Sequence, residues 1–107
     1  MGFGVWMEID AGGEYPARVT ESFNYTSNVS PMWTEAIGTS LRDLKGKTGE
    51  EAKPVLVKAI CDMAAHPEKY KPMEPDNGWG DYHGAMNFLS RILEICQEAP
   101  KAKIGMG

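Results

Sequence analysis

The stretch from Tyr15 to Gly38 changes its period part-way along, and that change restricts what the chain can become. Tyr15, Ala17, Val19, Phe23 and Tyr25 occupy alternate positions, with Arg18, Thr20, Ser22 and Asn24 between them. This is the pattern of a strand with one apolar face. From Ser30-Pro31 onward the spacing becomes helical, through Met32, Trp33, Ala36 and Ile37, and Gly38 stands where such a helix can end. Ser30 can cap the free amides, and Pro31 fits a first helical position, where no backbone donor is needed. Asn24, Thr26, Ser27 and Asn28 lie between the two, short polar side chains that bond readily to nearby backbone. A chain that turns from strand to helix over so few residues points to a mixed α+β fold.

The flanking sequence extends the pattern. Phe3, Val5, Met7 and Ile9 alternate with Gly4, Trp6 and Glu8, and Asp10-Ala11-Gly12-Gly13 reads as a turn. Residues 2–25 are therefore expected to form a hairpin, with Pro16 marking an edge or an irregular start to its second strand. Trp6 lies opposite in parity to the apolar set, beside Arg18, Thr20 and Ser22. Either it is an exposed contact residue or a further element covers that face.

Beyond the helix expected after Ser30, Leu41 and Leu44 are expected to anchor a loop. Thr48 and Glu51 have capping-box spacing ahead of a stripe of Ala52, Val55, Leu56, Ala59, Ile60, Met63 and Ala64. Pro54 conflicts with an unbroken helix from Thr48, so the helix is expected to start later or to kink. Residues 67–80 read as a long polar connection stiffened by prolines, with Asn77-Gly78 as a turn signal. Trp79 within it reads better as a plug onto the core than as a presented side chain. Asp81 can cap a third helix with Tyr82, Ala85, Met86, Leu89, Ile92, Leu93 and Cys96 on its apolar face. Ala102, Ile104 and Met106 alternate as a final strand. The whole chain, 1–107, is expected to be one small domain: a small antiparallel sheet packed on two main helices and a shorter one.

Several function classes find no support. The formal net charge of −4 runs against a direct nucleic-acid binder, which would carry a basic stripe. No stretch approaches the roughly 18 apolar residues of a spanning helix, and no secretory signal is visible, so a cytoplasmic location is expected. Cys61 and Cys96 both fall on apolar helix faces and read as buried reduced thiols. With His66 and His83 they make no paired-ligand spacing, so neither a metal nor a cofactor is expected. There is no P-loop, nucleophile elbow or zinc-protease motif. Asp81 with His83 and a hairpin carboxylate is the best acid–base grouping, yet residues two apart on a helix do not face each other. A small hydrolase is accordingly the weakest reading, and the chain reads as a non-enzyme.

A binding surface is the stronger expectation. Asn24, Tyr25, Asn28 and Trp33 from the strand-to-helix corner could converge with Asn77, Trp79 and Tyr82, amides beside aromatic faces that suit a nucleobase, a nucleotide-type signal or a sugar. The same residues would serve equally to hold the long connection onto the corner.

With both segments in view, the chain resembles a group of short, uncharacterised proteins of actinobacteriophages and of some of their hosts. The resemblance rests on Asn24-Tyr25-Thr26-Ser27-Asn28 with Met32-Trp33, on Gly46-Lys47-Thr48, on His66-Pro67-Glu68-Lys69-Tyr70 and on Asn77-Gly78-Trp79-Gly80. It implies a phage or prophage setting and a compact accessory protein, and it brings no activity, cofactor or catalytic residue with it. The expected function is host modulation or anti-defence by binding a host macromolecule, most readily a host protein. A small-molecule sequestering protein is the alternative, and self-association is a further option.

Overall fold

A computed structural model describes residues 2–107, so that of the expected 1–107 domain only Met1 lies outside the described residues. The fold is α+β, with a four-stranded antiparallel sheet and four helices. Strand β1 (Gly2–Ile9) is central. On one edge it pairs with β4 (Lys103–Met106), Val5 opposite Met106 and Glu8 opposite Lys103. On the other it pairs first with β3 (Phe23–Thr26) through residues 2–5, then with β2 (Ala17–Arg18) through residues 8–9.

The second arm of the hairpin is thus two short strands where one was expected. The register shifts by two residues between them, at 19–22, and the hydroxyl of Thr20 accepts a bond from the Met7 amide at 2.9 Å in place of a backbone carbonyl. Expected apolar-face residues at that end are exposed: Tyr15 at 77% and Val19 at 45%. The helices cover only the half of the hairpin that holds Phe3, Val5, Met7 and Phe23, all buried.

The inner face carries the helices α1 (Ser30–Ile37), α2 (Gly49–Ala65), the single turn α3 (Pro67–Tyr70) and α4 (Tyr82–Glu98). Helices α2 and α4 pack on each other, and α4 packs on β1, with Leu56, Ala59, Met63, Leu89 and Ile92 fully buried. Leu41 and Leu44 anchor the connection before α2, as expected. The capping box forms, Thr48 N donating to Glu51 and Glu51 N to Thr48. These bonds hold the Glu51 carboxyl below its ordinary value, the backbone bond from Thr48 acting most. Pro54 does not delay this helix. It lies on the exposed side in the second turn of the helix, and the Glu50 carbonyl it leaves without a donor belongs to an exposed residue.

Three further expectations change. Ser30 begins α1 as a helical residue, and capping passes to Thr26, whose hydroxyl accepts from the Asn28 amide at the head of a preceding 3₁₀ turn. Cys61 is exposed, lying off the Ala59 and Met63 stripe, while Cys96 is buried as expected. Half of the connection 67–80 is structured: α3 is followed by a 3₁₀ turn at Lys71–Met73, and Tyr70 is fully buried with its hydroxyl donating to the Asp62 carboxylate.

Candidate functional site

The centre of the core is aromatic and forms where β3, α1 and α4 meet. Phe88 on α4 stacks on Trp33 with centroids 5.2 Å apart and on Tyr25 at 6.0 Å, and meets Phe23 edge-on at 5.4 Å. Phe3 completes the group against Trp33. The Trp33 indole donates to the Ala85 carbonyl at 3.0 Å, so its one polar atom is satisfied in the interior. Phe88 was absent from the apolar stripe read from the sequence. The signal was present, since it lies three residues after Ala85 and one turn before Ile92.

The two segments do meet, as an interlock that holds the long connection onto the corner, one of the two arrangements left open by the sequence. A Cβ on Gly80, at φ +96°, would come within 2.6 Å of the Thr26 methyl and 2.8 Å of Val29. Only glycine allows this approach in that conformation. A Cβ on Gly84 would overlap the Tyr25 hydroxyl, which in turn accepts a bond from the Asp81 amide at 3.2 Å. Asp81 caps α4, its carboxylate accepting from the Gly84 amide at 2.7 Å.

The interlock assigns the candidate residues one by one. Trp33 and Tyr82 are core residues at 0% and 3% exposure, the Tyr82 hydroxyl donating to the Met63 carbonyl; neither can touch a ligand. Tyr25 is half-buried between Phe88 and Gly84. Asn28 bonds the Thr26 hydroxyl through its own side chain at 3.0 Å, and the Asn77 carbonyl oxygen accepts from the Trp79 amide at 2.9 Å; both amides serve their own turns. Trp79 is no plug. It is 65% exposed, because the glycines on either side turn the chain and Gly80 itself takes the place against Thr26 and Val29. Asn24 is exposed on β3 and shares a depression with Asn87, Tyr25, Phe88 and Arg91.

Trp6 follows neither of its two expected readings. It is half-buried, at the strand parity opposite the buried Phe3, Val5 and Met7. Its ring lies over the backbone of Gly105 and Gly107, where a side chain would collide with it, and the Arg18 guanidinium stacks 3.9 Å from its centre. The indole donates to Glu8 at 2.7 Å.

Asp81 is used as a cap, and His83 is exposed beside the edge of the Tyr82 ring. Asp62 is held below its ordinary pKa, chiefly by the Tyr70 hydroxyl and then by Lys69. Burial, reinforced by that same carboxylate, raises Tyr70 well above the ordinary tyrosine range. Among the described residues no three His, Cys, Asp or Glu side chains cluster as metal ligands would, and no helix is long and apolar enough to cross a membrane. No protein-family model, curated protein or solved structure matches the chain.

Proposed function

We propose that the protein is a non-enzymatic accessory protein that docks on another protein, in the phage or prophage setting that its sequence resemblance implies, with a host protein as the partner. The observation that carries this reading is Trp79. An indole that is 65% exposed is unusual in itself, and this one is held in place. Asn77 fixes the turn before it, Gly80 seats the chain against Thr26 and Val29, and Asp81 and Tyr82 bind the following residues to Tyr25 and Glu74. A presented Trp whose backbone is already ordered loses little entropy on binding, which is the property of an interface hot spot.

The small-molecule reading has less support. Asn28 and Asn77 are committed to local bonds, and Trp33 and Tyr82 are buried. The depression beside Asn24 measures about 240 Å³, below the usual range for ligand pockets. The test is capture of tagged protein from an actinobacterial lysate followed by native mass spectrometry. A co-purified protein retained by the native chain and lost on Trp79→Ala is the expected result. A small added mass released on denaturation, with no protein partner, would replace this reading by the small-molecule one.

A further inference from the structure

The two edges of the sheet are finished differently. The outer edge of β4 is closed by backbone: Gly46 N donates to Ile104 O at 2.8 Å, Ile104 N to Lys47 O at 2.9 Å and Gly49 N to Ala102 O at 3.0 Å. The other edge has no such cover. Among the described residues β3 pairs only with β1. Gly4 exchanges both of its backbone bonds with Gly107 on the β4 side, so the β1 residues that face β3 are Phe3 and Val5. Their partners Tyr25 and Phe23 therefore point inward along the ladder, and the N–H and C=O of Asn24 point out from the open edge.

Beside that edge runs a groove whose far wall is α4. Two depressions of about 280 and 240 Å³ share Arg91. The larger is lined by Glu21, Phe23, Glu94 and Glu98, the smaller by Asn24, Tyr25, Gly84 and Asn87. From Gly84 to Glu98 the helix rises about 21 Å, the length of about six extended residues. Arg91 is drawn over the Phe23 ring, 4.4 Å from its centre. Glu21, Glu94 and Glu98 have no cationic partner within ion-pair distance among the described residues.

We infer that this groove takes an extended peptide segment of the partner, added antiparallel to β3, with Lys or Arg side chains at its C-terminal end meeting Glu21, Glu94 and Glu98. The inference rests on the protein-docking reading and gives the partner's segment its chemistry. Main-chain bonds to Asn24 fix the strand, and the carboxylates select the basic end. An antiparallel segment starts beside Gly84 and the loop that presents Trp79, so the two features form one continuous surface. A second copy of this chain is a poor occupant: paired antiparallel, it would bring Thr26 and Ser27 rather than a cation to the three carboxylates, and its own α4 flanks the edge.

The experiment uses the full chain, labelled with nitrogen-15, and two peptides, Thr-Val-Thr-Val-Lys-Lys and Thr-Val-Thr-Val-Glu-Glu. The expected result is saturable amide shifts at Ser22, Asn24 and the Asn87–Glu98 face with the lysine peptide. Affinity should be about tenfold lower for the glutamate peptide, and for a Glu21→Gln, Glu94→Gln, Glu98→Gln variant of unchanged Tm. Asn24→Pro removes the outward N–H at a position where an edge strand tolerates proline, and should weaken binding similarly. Absence of shifts, equal binding of the two peptides, or shifts confined to other surfaces would overturn the groove. So would a dimer in sedimentation that Asn24→Pro dissociates. A lysate partner lost on Trp79→Ala but retained by the triple glutamine variant would remove the groove and leave the docking reading standing. Loss of both variants' effects would remove both.

Discussion

Trp33 and Trp79 carry the same side chain into opposite surroundings. Trp33 sits on the second turn of a helix whose apolar residues recur on one face, so packing α1 against β3 and α4 carries the indole inward. Trp79 belongs to no repeating pattern. Its position is set by an Asn77 turn, by two positive-φ glycines and by the bond from the next residue but one, Asp81, to Tyr25. The difference shows that periodicity places a large apolar residue in this chain, while local bonding and glycine contacts can hold an equally large one in water. The cysteines repeat the contrast, Cys96 buried on the α4 stripe and Cys61 exposed off the α2 stripe.

The largest effect is expected on the buried side. Trp33→Ala removes the ring that stacks on Phe88 and the side-chain donor to Ala85 O, a loss of about 3–5 kcal/mol. Urea titration followed by far-UV circular dichroism should show this as a large fall in midpoint. A fall no bigger than that of a surface substitution would mean that the aromatic centre is not what holds α1 and α4 to the sheet.

Next comes the contact that joins the two regions. Gly84→Ala places a methyl group on the Tyr25 hydroxyl, so either the Tyr25 ring or the start of α4 must shift, at a cost of about 1–3 kcal/mol. Crossing it with Tyr25→Phe, which takes away the clashing oxygen, should recover part of the loss. Strictly additive effects of the two changes would show that Gly84 and Tyr25 do not press on each other.

The buried thiol gives a smaller effect with a defined pH window. Burial pushes Cys96 up to about 11 from its ordinary 9.0, so between these values the folded chain keeps a proton that the unfolded chain has released. Stability from this group is complete below the lower value and is lost as pH rises through the upper one. Cys96→Ala should flatten that part of the alkaline decline in urea midpoint. Tyr70, raised by burial and by Asp62, should keep the decline going in the variant at still higher pH. Asp62 has the opposite sign: the Tyr70 hydroxyl lowers it, so its contribution disappears as pH falls through the acid range. In native protein Cys61 should react with a thiol reagent at once, and Cys96 only on unfolding.

What the sequence disclosed follows the same division. Period-two and helical patterns located β1, α1, α2, α4 and β4, and the Thr48–Glu51 and Asp81 caps placed two helix starts, because each rests on several residues acting through one geometry. Four members of the candidate site, Trp33, Tyr82, Asn28 and Asn77, have core or turn roles instead, because they were singled out by residue type. Asn28 and Asn77 are common in turns for the very reason that they can bond their own backbone, and Tyr82 and Trp33 obey the helical stripe that made them core residues. The two-residue shift at 19–22 left no trace in the alternation, since it preserves parity on both sides. Nor could the open edge of β3 be read, because it depends on where β4 and α4 lie, and those contacts join residues far apart along the chain.

The smallest expected effect bears most directly on function. Trp79→Ala should change stability by less than about 0.5 kcal/mol, as a surface substitution away from packing does. A larger loss would mean that the ring contributes to the fold after all, and that its exposure is not free for a partner. The same variant gives an optical check. Trp33 is enclosed, Trp6 is half-covered, and Trp79 is the indole most open to water, so native emission should move to shorter wavelength and acrylamide quenching should fall when Trp79 is removed. If quenching is instead unchanged, the loop lies closed over the ring in solution, and Trp79 and Trp33 differ less than their surroundings here imply.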